Sequence, residues 1–272
     1  MTAHQPLYDS RYGGMAQAVP DISTPVIDQL MTHRSVRAFR PDAVSDAQLS
    51  AMIAAAQSAA SSSNLQVWSV VAVRDQAVRD QLAEFAGNQA HIRQAPLQLV
   101  WLADLSRLER VATAEGRPSE ALDYTEMFLT AVIDAALAAQ NAVAAAESMG
   151  LSTVYIGGMR NRPEDVARVL KLPPKTFAVF GMCVGHEDDA RPASVKPRLP
   201  QSAVLHHESY STEQDDAVAA YNTAMARFYE AQKMDVKGNW SIHSAKRVAG
   251  PASLSGRDRL VDALKALGFS LK

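Results

Sequence analysis

The chain has 272 residues, 47% of them hydrophobic and 21% charged, with a net charge of −2. That length supports a substantial core, and the charge balance excludes a protein whose whole surface seeks nucleic acid. One cysteine, Cys183, rules out an intramolecular disulfide and leaves no set of thiolates for a zinc or iron–sulfur centre.

Residues 1–24 read as an irregular arm, with two glycines, two prolines and no helical period. They lack the apolar h-region of a signal peptide. The most apolar stretch, Phe128 to Met149, carries Asp134, Gln140, Asn141 and Glu147, which a membrane span would not hold. A cytoplasmic protein with no membrane contact is therefore expected.

From residue 25 to 272 the pattern predicts a single α+β domain with a C-terminal helical extension. Pro25 opens a helix from Val26 to Thr32, and residues 35–40 alternate as an extended segment. Ser45 and Gln48 have capping-box spacing ahead of a periodic helix. The runs 68–73, 97–103 and 177–185 are apolar enough for buried strands. A surface helix is expected over 75–86 and a long alanine-rich one from Ser119 to Met149, closed by Gly150. "STVYIGG" reads as a strand ending in a glycine pair, and Pro163 starts a helix that stops at Pro173. Residues 213–232 and 254–268 are helical by period, with Leu260, Ala263, Leu264 and Leu267 on one face.

Several chemistries are absent as motifs: no phosphate-loop lysine motif, no G-x-G-x-x-G, no nucleophile elbow and no H-E-x-x-H. Cys183 and His186 lack two further metal ligands, and His206 with His207 reads as a solvated pair, so no metal site is assigned. What the sequence does offer is donors for an anion. "HRSVRAFR" (33–40) concentrates three arginines and a histidine, and "KPRLP" (196–200) holds two more cations on a stiffened segment. "SSSNLQ" (61–66) adds a row of hydroxyls, and Gly157–Gly158 allows a close backbone approach. Taken singly, a solvated loop or a tight turn explains each of these equally well. Together they suit a phosphorylated cofactor that brings its own chemistry.

Six segments carry a likeness: "HRSVRAF", "SSSNLQ", "GNQAHIRQAP", "NAVAAAESMGLSTVYIGGMRN", "LKLPPKTFAVFGMCVG" and "KPRLP". In order and spacing they resemble the nitroreductase family of FMN enzymes, in its oxygen-insensitive NADPH nitroreductase and flavin reductase branch. The likeness runs from about Val26 to the C-terminus. It implies a sandwich with a central mixed sheet flanked by helices, built as an intertwined homodimer with FMN at the subunit interface. It also implies that His33, Arg34 and Ser35, with Val36 in the same segment, meet the phosphate and ribityl chain together with Lys196 and Arg198. Arg37 and Gln89 would reach the pyrimidine edge of the flavin, with Ala90 and His91 in the same turn. Ser61, Ser62 and Ser63 would contact the cofactor, and Tyr155, Ile156, Gly157 and Gly158 would lie against the ring.

The implied reaction is ping-pong: NADPH or NADH reduces the flavin and leaves, and a nitroaromatic, quinone or similar small acceptor takes two electrons. No protein residue is assigned as catalytic. Where the branch holds the 2′-phosphate of NADPH with basic residues, this chain has Lys233 and Lys237, and Asn88 stands where the branch tends to have a glycine. Two other readings stay open: a flavin reductase that supplies reduced FMN, and a flavin-binding protein without catalysis. Nucleic-acid binding through "HRSVRAFR" is disfavoured by the overall charge and the lack of interleaved surface aromatics.

Overall fold

The computed structural model describes residues 4–16 and 18–272; Met1–Ala3 and Gln17, part of the expected arm, lie outside them. The arm contains a helix, α1 (Gln5–Tyr12), with a proline in its first turn and Gly13 as a left-handed C-cap at φ 61. This corrects the reading of residues 1–24 as irregular. The two glycines there stop a helix, and its buried face is only Tyr8 and Arg11, too little to show as a period.

Next come α2 (Pro25–Met31), whose first turn is capped by Thr24 Oγ1, and α3 (Asp46–Gln57). The expected capping box closes α3: Ser45 Oγ accepts from Gln48 N at 3.2 Å and Gln48 Oε1 accepts from Ser45 N at 2.9 Å. Then follow β1 (Trp68–Val73), α4 (Gln76–Phe85), α5 (Ala90–Gln94), β2 (Leu97–Asp104) and α6 (Ser106–Ala114). After them are α7 (Thr125–Ser148), β3 (Ser152–Ile156), α8 (Pro163–Leu170) and β4 (Thr176–Gly185). The chain ends with α9 (Asp215–Ala231), α10 (Trp240–Arg247) and α11 (Leu260–Ala266). The long helix starts at Thr125 rather than Ser119, because residues 120–123 form a 3-10 turn and Tyr124 is extended. The last helix starts at Leu260 rather than residue 254, after left-handed Gly256 at φ 85 breaks the path.

The chain divides into two compact units: Met1–Arg34 with Ala193–Leu254, and Ser35–Pro192 with Ser255–Lys272. The second unit contains the sheet, in the order β1-β2-β4-β3, with every neighbouring pair antiparallel. Beside it, Ser35 forms an isolated parallel bridge to Thr153. β2 is buried along its whole length, which explains its continuous apolar run. Against it pack Ala138, Ala139, Ala142, Val143 and Ala146 of α7 with Met52 and Ala56 of α3. Alanines on that face let α7 approach closely. A second cluster joins Leu105, Phe177, Leu264 and Phe269, with Phe128 edge-on to Phe177 at 5.7 Å and to Phe269 at 5.2 Å. Each buried side chain of this size stabilises by about 1.5–3 kcal/mol.

By length and composition α7 is long and apolar enough to cross a membrane, and its core-facing alanines account for much of that apolarity. Cys183 is fully buried on β4, and burial pushes its thiol up to about 12.

The first unit is smaller and less apolar. Its buried hydrophobics are Tyr8, Ala203, Tyr221, Ala224 and Met225. Tyr221 stands edge-on to Trp240 at 5.2 Å, and its hydroxyl donates to the Pro197 carbonyl at 3.0 Å. Asn222 of α9 and Ser241 of α10 exchange two hydrogen bonds.

Candidate functional site

The unit division falls inside "HRSVRAFR", so the expected site residues fall into two sets. In the first unit His33 and Arg34 follow α2, and Lys196 and Arg198 are exposed on either side of buried Pro197. The Lys196 ammonium lies 5.9 Å from the centre of the Phe228 ring, and Arg198 Nη1 donates to the Lys196 carbonyl at 3.1 Å. One residue of α1 ties these segments together. Arg11 is 7% exposed and donates to the carbonyls of Met31 (2.9 Å), His33 (2.7 Å) and Lys196 (3.2 Å). Its own carbonyl accepts from Arg198 N at 2.9 Å. The sequence reading missed Arg11, since backbone carbonyls leave no mark in a sequence.

Lys233 and Lys237 are exposed in the loop between α9 and α10. Lys233 is left-handed at φ 49, and the Lys237 carbonyl accepts from His243 Nε2 at 2.8 Å.

In the second unit three expected segments come together around β3. Val36 N donates to the Thr153 carbonyl at 3.0 Å, which runs residues 35–37 beside the strand that ends in Tyr155 and Ile156. Val36 is buried there, while Ser35 and Arg37 point outward. The 86–91 turn meets the glycine pair: Gln89 Nε2 donates to the Ala86 carbonyl at 2.8 Å, and a Cβ on Gly158 would lie 2.8 Å from that same oxygen. Glycine at 158 is thus demanded by Ala86, whereas a Cβ on Gly157 would meet the guanidinium ends of Arg160 at 3.4 Å and Arg257 at 3.8 Å, both ordinary contact distances. Asn88 adopts φ 58, a conformation asparagine tolerates better than most residues.

Within that turn, His91 Nε2 is buried with no hydrogen-bond partner among the described residues. Burial, and then the Arg37 guanidinium, hold the His91 imidazole below its ordinary pKa. Arg160, half-buried beside Gly157, donates to the Val179 carbonyl, and burial followed by the Arg257 charge lowers its pKa.

The serine row forms a turn of its own. Ser61 Oγ donates to Asp134 Oδ2 at 2.7 Å and accepts from Gln66 N at 2.8 Å. Asp134 also accepts from Ser62 N and Val67 N, both at 3.3 Å. These bonds hold Ser63, Asn64 and Gln66 at positive φ, and leave the side chains of Ser62 and Ser63 exposed. The Ser61 hydroxyl is therefore engaged within the turn. Asp134 was legible as an acid in an apolar helix, which must find donors once buried; which donors it finds was not. Among the described residues no group of three or more metal-ligating side chains occurs.

A sequence profile of the nitroreductase family matches residues 30–186, and a profile of that family's C-terminal domain matches residues 196–272. The chain belongs to the nitroreductase family. It is 39% identical over 225 residues to the NADPH-flavin oxidoreductase of Vibrio harveyi, covering 82% of this chain and 91% of that protein. To the oxygen-insensitive NADPH nitroreductase of Salmonella typhimurium it is 39% identical, over 81% of this nitroreductase and 89% of the other. The FMN reductase (NADPH) of Bacillus subtilis is 40% identical, over 90% of this chain and 98% of its own.

Solved structures agree. Bacillus megaterium NfrA2 has a TM-score of 0.86 at 36% identity, covering 92% of this chain and all of that one. The Vibrio harveyi NADPH:FMN oxidoreductase complexed with NAD+ has a TM-score of 0.80 at 36% identity, over the same shares. The nitroreductase sandwich expected from the six sequence segments is the fold found. The residues before 30, α1 among them, precede the matched region.

Proposed function

We propose that this nitroreductase is an FMN-dependent NAD(P)H oxidoreductase that reduces small acceptors such as nitroaromatics and quinones. The chemistry FMN supplies when bound is two-electron transfer, a hydride in from reduced nicotinamide and an electron pair out to the acceptor. The observation that carries the reading is the donor set of the first unit. Two segments with four potentially cationic side chains, His33, Arg34, Lys196 and Arg198, are tied by Arg11, and their chemistry fits a phosphate dianion. The second unit carries polar groups of its own: Arg37, and a buried His91 nitrogen without a partner among the described residues.

In this reading His33, Arg34, Lys196 and Arg198 bind the phosphate, with Ser35 and Val36 continuing the segment. Arg37, Gln89, Ala90 and His91 serve the pyrimidine edge, where a fixed cation stabilises the negative charge of the reduced ring. Tyr155, Ile156 and the Gly157–Gly158 pair flank the ring, Ser62 and Ser63 offer exposed hydroxyls, and Ser61 acts through the turn it shares with Asp134. No protein group is required to move a proton, and none is assigned as catalytic.

The test is the visible spectrum of the purified protein under anaerobic addition of NADPH or NADH. A flavin band that bleaches with either supports the reading, and a protein that takes up no FMN ends it. NADPH is the favoured reductant, in line with the names of the three relatives, with Lys233 and Lys237 at the 2′-phosphate. Replacing both by alanine is expected to raise KM for NADPH roughly three- to tenfold and leave that for NADH unchanged. A flavin reductase role is the second reading, favoured by the relatives that carry that name. Product release decides it: as a flavin reductase the protein delivers free reduced FMN faster than it reduces a nitroaromatic.

The working form in this proposal is a cytoplasmic homodimer. Leu129, Ile133 and Leu137, exposed at four-residue spacing on α7, form an apolar stripe opposite the face that builds the core. Ile133→Glu is expected to shift the mass in solution from dimer to monomer.

A further inference from the structure

The match to the family profile begins at residue 30, after α1, and α1 supplies the residue that joins both phosphate-donor segments. Residue 11 bonds both segments, with three hydrogen bonds from its guanidinium and one accepted by its carbonyl. One acceptor, the Met31 carbonyl, ends α2, where carbonyls lack helical partners and a cation is favoured, and a second, the His33 carbonyl, lies just past the Thr32 C-cap. The third belongs to Lys196, and the backbone N–H that returns the contact belongs to Arg198. The planar fork fixes the spacing between the two segments in a way a single ammonium cannot.

The helix end is seated just as closely. Gly13 is left-handed, and a Cβ there would stand 3.0 Å from both Ala224 Cβ and Pro197 Cγ. Pro197 lies between Lys196 and Arg198, and on its carbonyl it receives the Tyr221 hydroxyl. Gln201 Nε2 donates to the Tyr12 hydroxyl at 3.2 Å, fixing the stretch that follows Arg198. The arm thus contacts the second donor segment through Arg11, Tyr12 and Gly13 in succession.

We propose that Arg11 is a positioning residue for phosphate recognition: it fixes the His33–Arg34 segment relative to the Lys196–Arg198 segment before a phosphate binds. This rests on the FMN reading above and deepens it. Donors held at the right spacing in advance lose less freedom on binding, so the gain appears as affinity for the charged group alone. The arm then governs how strongly the protein prefers a phosphorylated flavin and has no effect on its hold on the ring.

The experiment is fluorescence titration of the flavin-stripped full chain with FMN and with riboflavin, the same ring and ribityl chain without phosphate. Wild type is expected to favour FMN, and Arg11→Met to reduce that preference roughly tenfold through FMN alone. Arg11→Lys, which keeps the charge and loses the fork, is expected to recover only part of it. Equal weakening of both flavins, or an unchanged preference in Arg11→Met, overturns the proposal. Full recovery in Arg11→Lys also overturns it, because charge and not positioning would then carry the effect. If Arg11→Met does not fold, Arg11→Lys and Gly13→Ala read the same ratio. Wild type binding neither flavin would fail the FMN reading itself, a result separable from every outcome in the variants.

Discussion

In the second unit β2 is buried from Leu97 to Asp104, and alanines of α7 close over it; in the first, Arg11 spends its side chain on three backbone carbonyls. One region gains stability from apolar area, which is insensitive to the direction of any single contact. The other gains order from directional bonds, which hold specific segments at specific distances. The difference suits what each has to present. Strand ends and a glycine pair are precise because the sheet beneath them is packed. Loops carrying cations have no such support and need a tether.

The largest effect is expected at Phe177. Phe177→Ala opens a hole beside Phe128 and Phe269 and is expected to cost about 3–5 kcal/mol, read from the urea midpoint. A loss under 1 kcal/mol would mean that apolar packing is not what holds the second unit. Next is the glycine pair. Gly158→Ala drives a methyl into Ala86 at 2.8 Å and should destabilise by about 1–3 kcal/mol, while Gly157→Ala, whose methyl would meet the Arg160 guanidinium at an ordinary 3.4 Å, should be near neutral. Equal melting temperatures for the two variants would refute that asymmetry.

In the first unit, Tyr221→Phe removes the hydroxyl that donates to Pro197 and should cost about 1 kcal/mol, with a larger relative effect on the 196–198 segment in hydrogen exchange.

The smallest effect is a pH dependence. His91 is held below its ordinary pKa, so above about pH 6.5 both folded and unfolded chains carry it neutral and it contributes nothing. As the pH falls through 6.5 the unfolded chain takes the proton first, and stability declines until the folded pKa is passed. His91→Gln should flatten that part of the stability profile between pH 7.5 and 5.5; an unchanged slope would place the titrating group elsewhere.

The same contrast explains what could be read from the sequence. β2 and β4 were legible because burial on both faces writes continuous apolar runs, β1 because its residues are apolar but for Ser69 although the strand is only half-buried, and the α3 capping box because both partners lie three residues apart. α1 was not, since its buried residues are one tyrosine and one arginine. At the candidate site the residue types pointed to an anion, but what holds them did not show. Arg11 bonds to carbonyls up to 185 positions away, and Asp134 finds its donors 67 to 73 positions back. Local pattern reports local partners, so long-range polar bonds are where it is blind.

Cys183 has a practical consequence. A thiol whose pKa is raised to about 12 exposes almost no thiolate at neutral pH, and full burial keeps reagents from what there is. The native chain is therefore expected to be silent toward maleimides while folded. A cysteine introduced at an exposed position, such as Val111, would be the one group labelled, and spectroscopic probes can be attached without first removing the natural thiol.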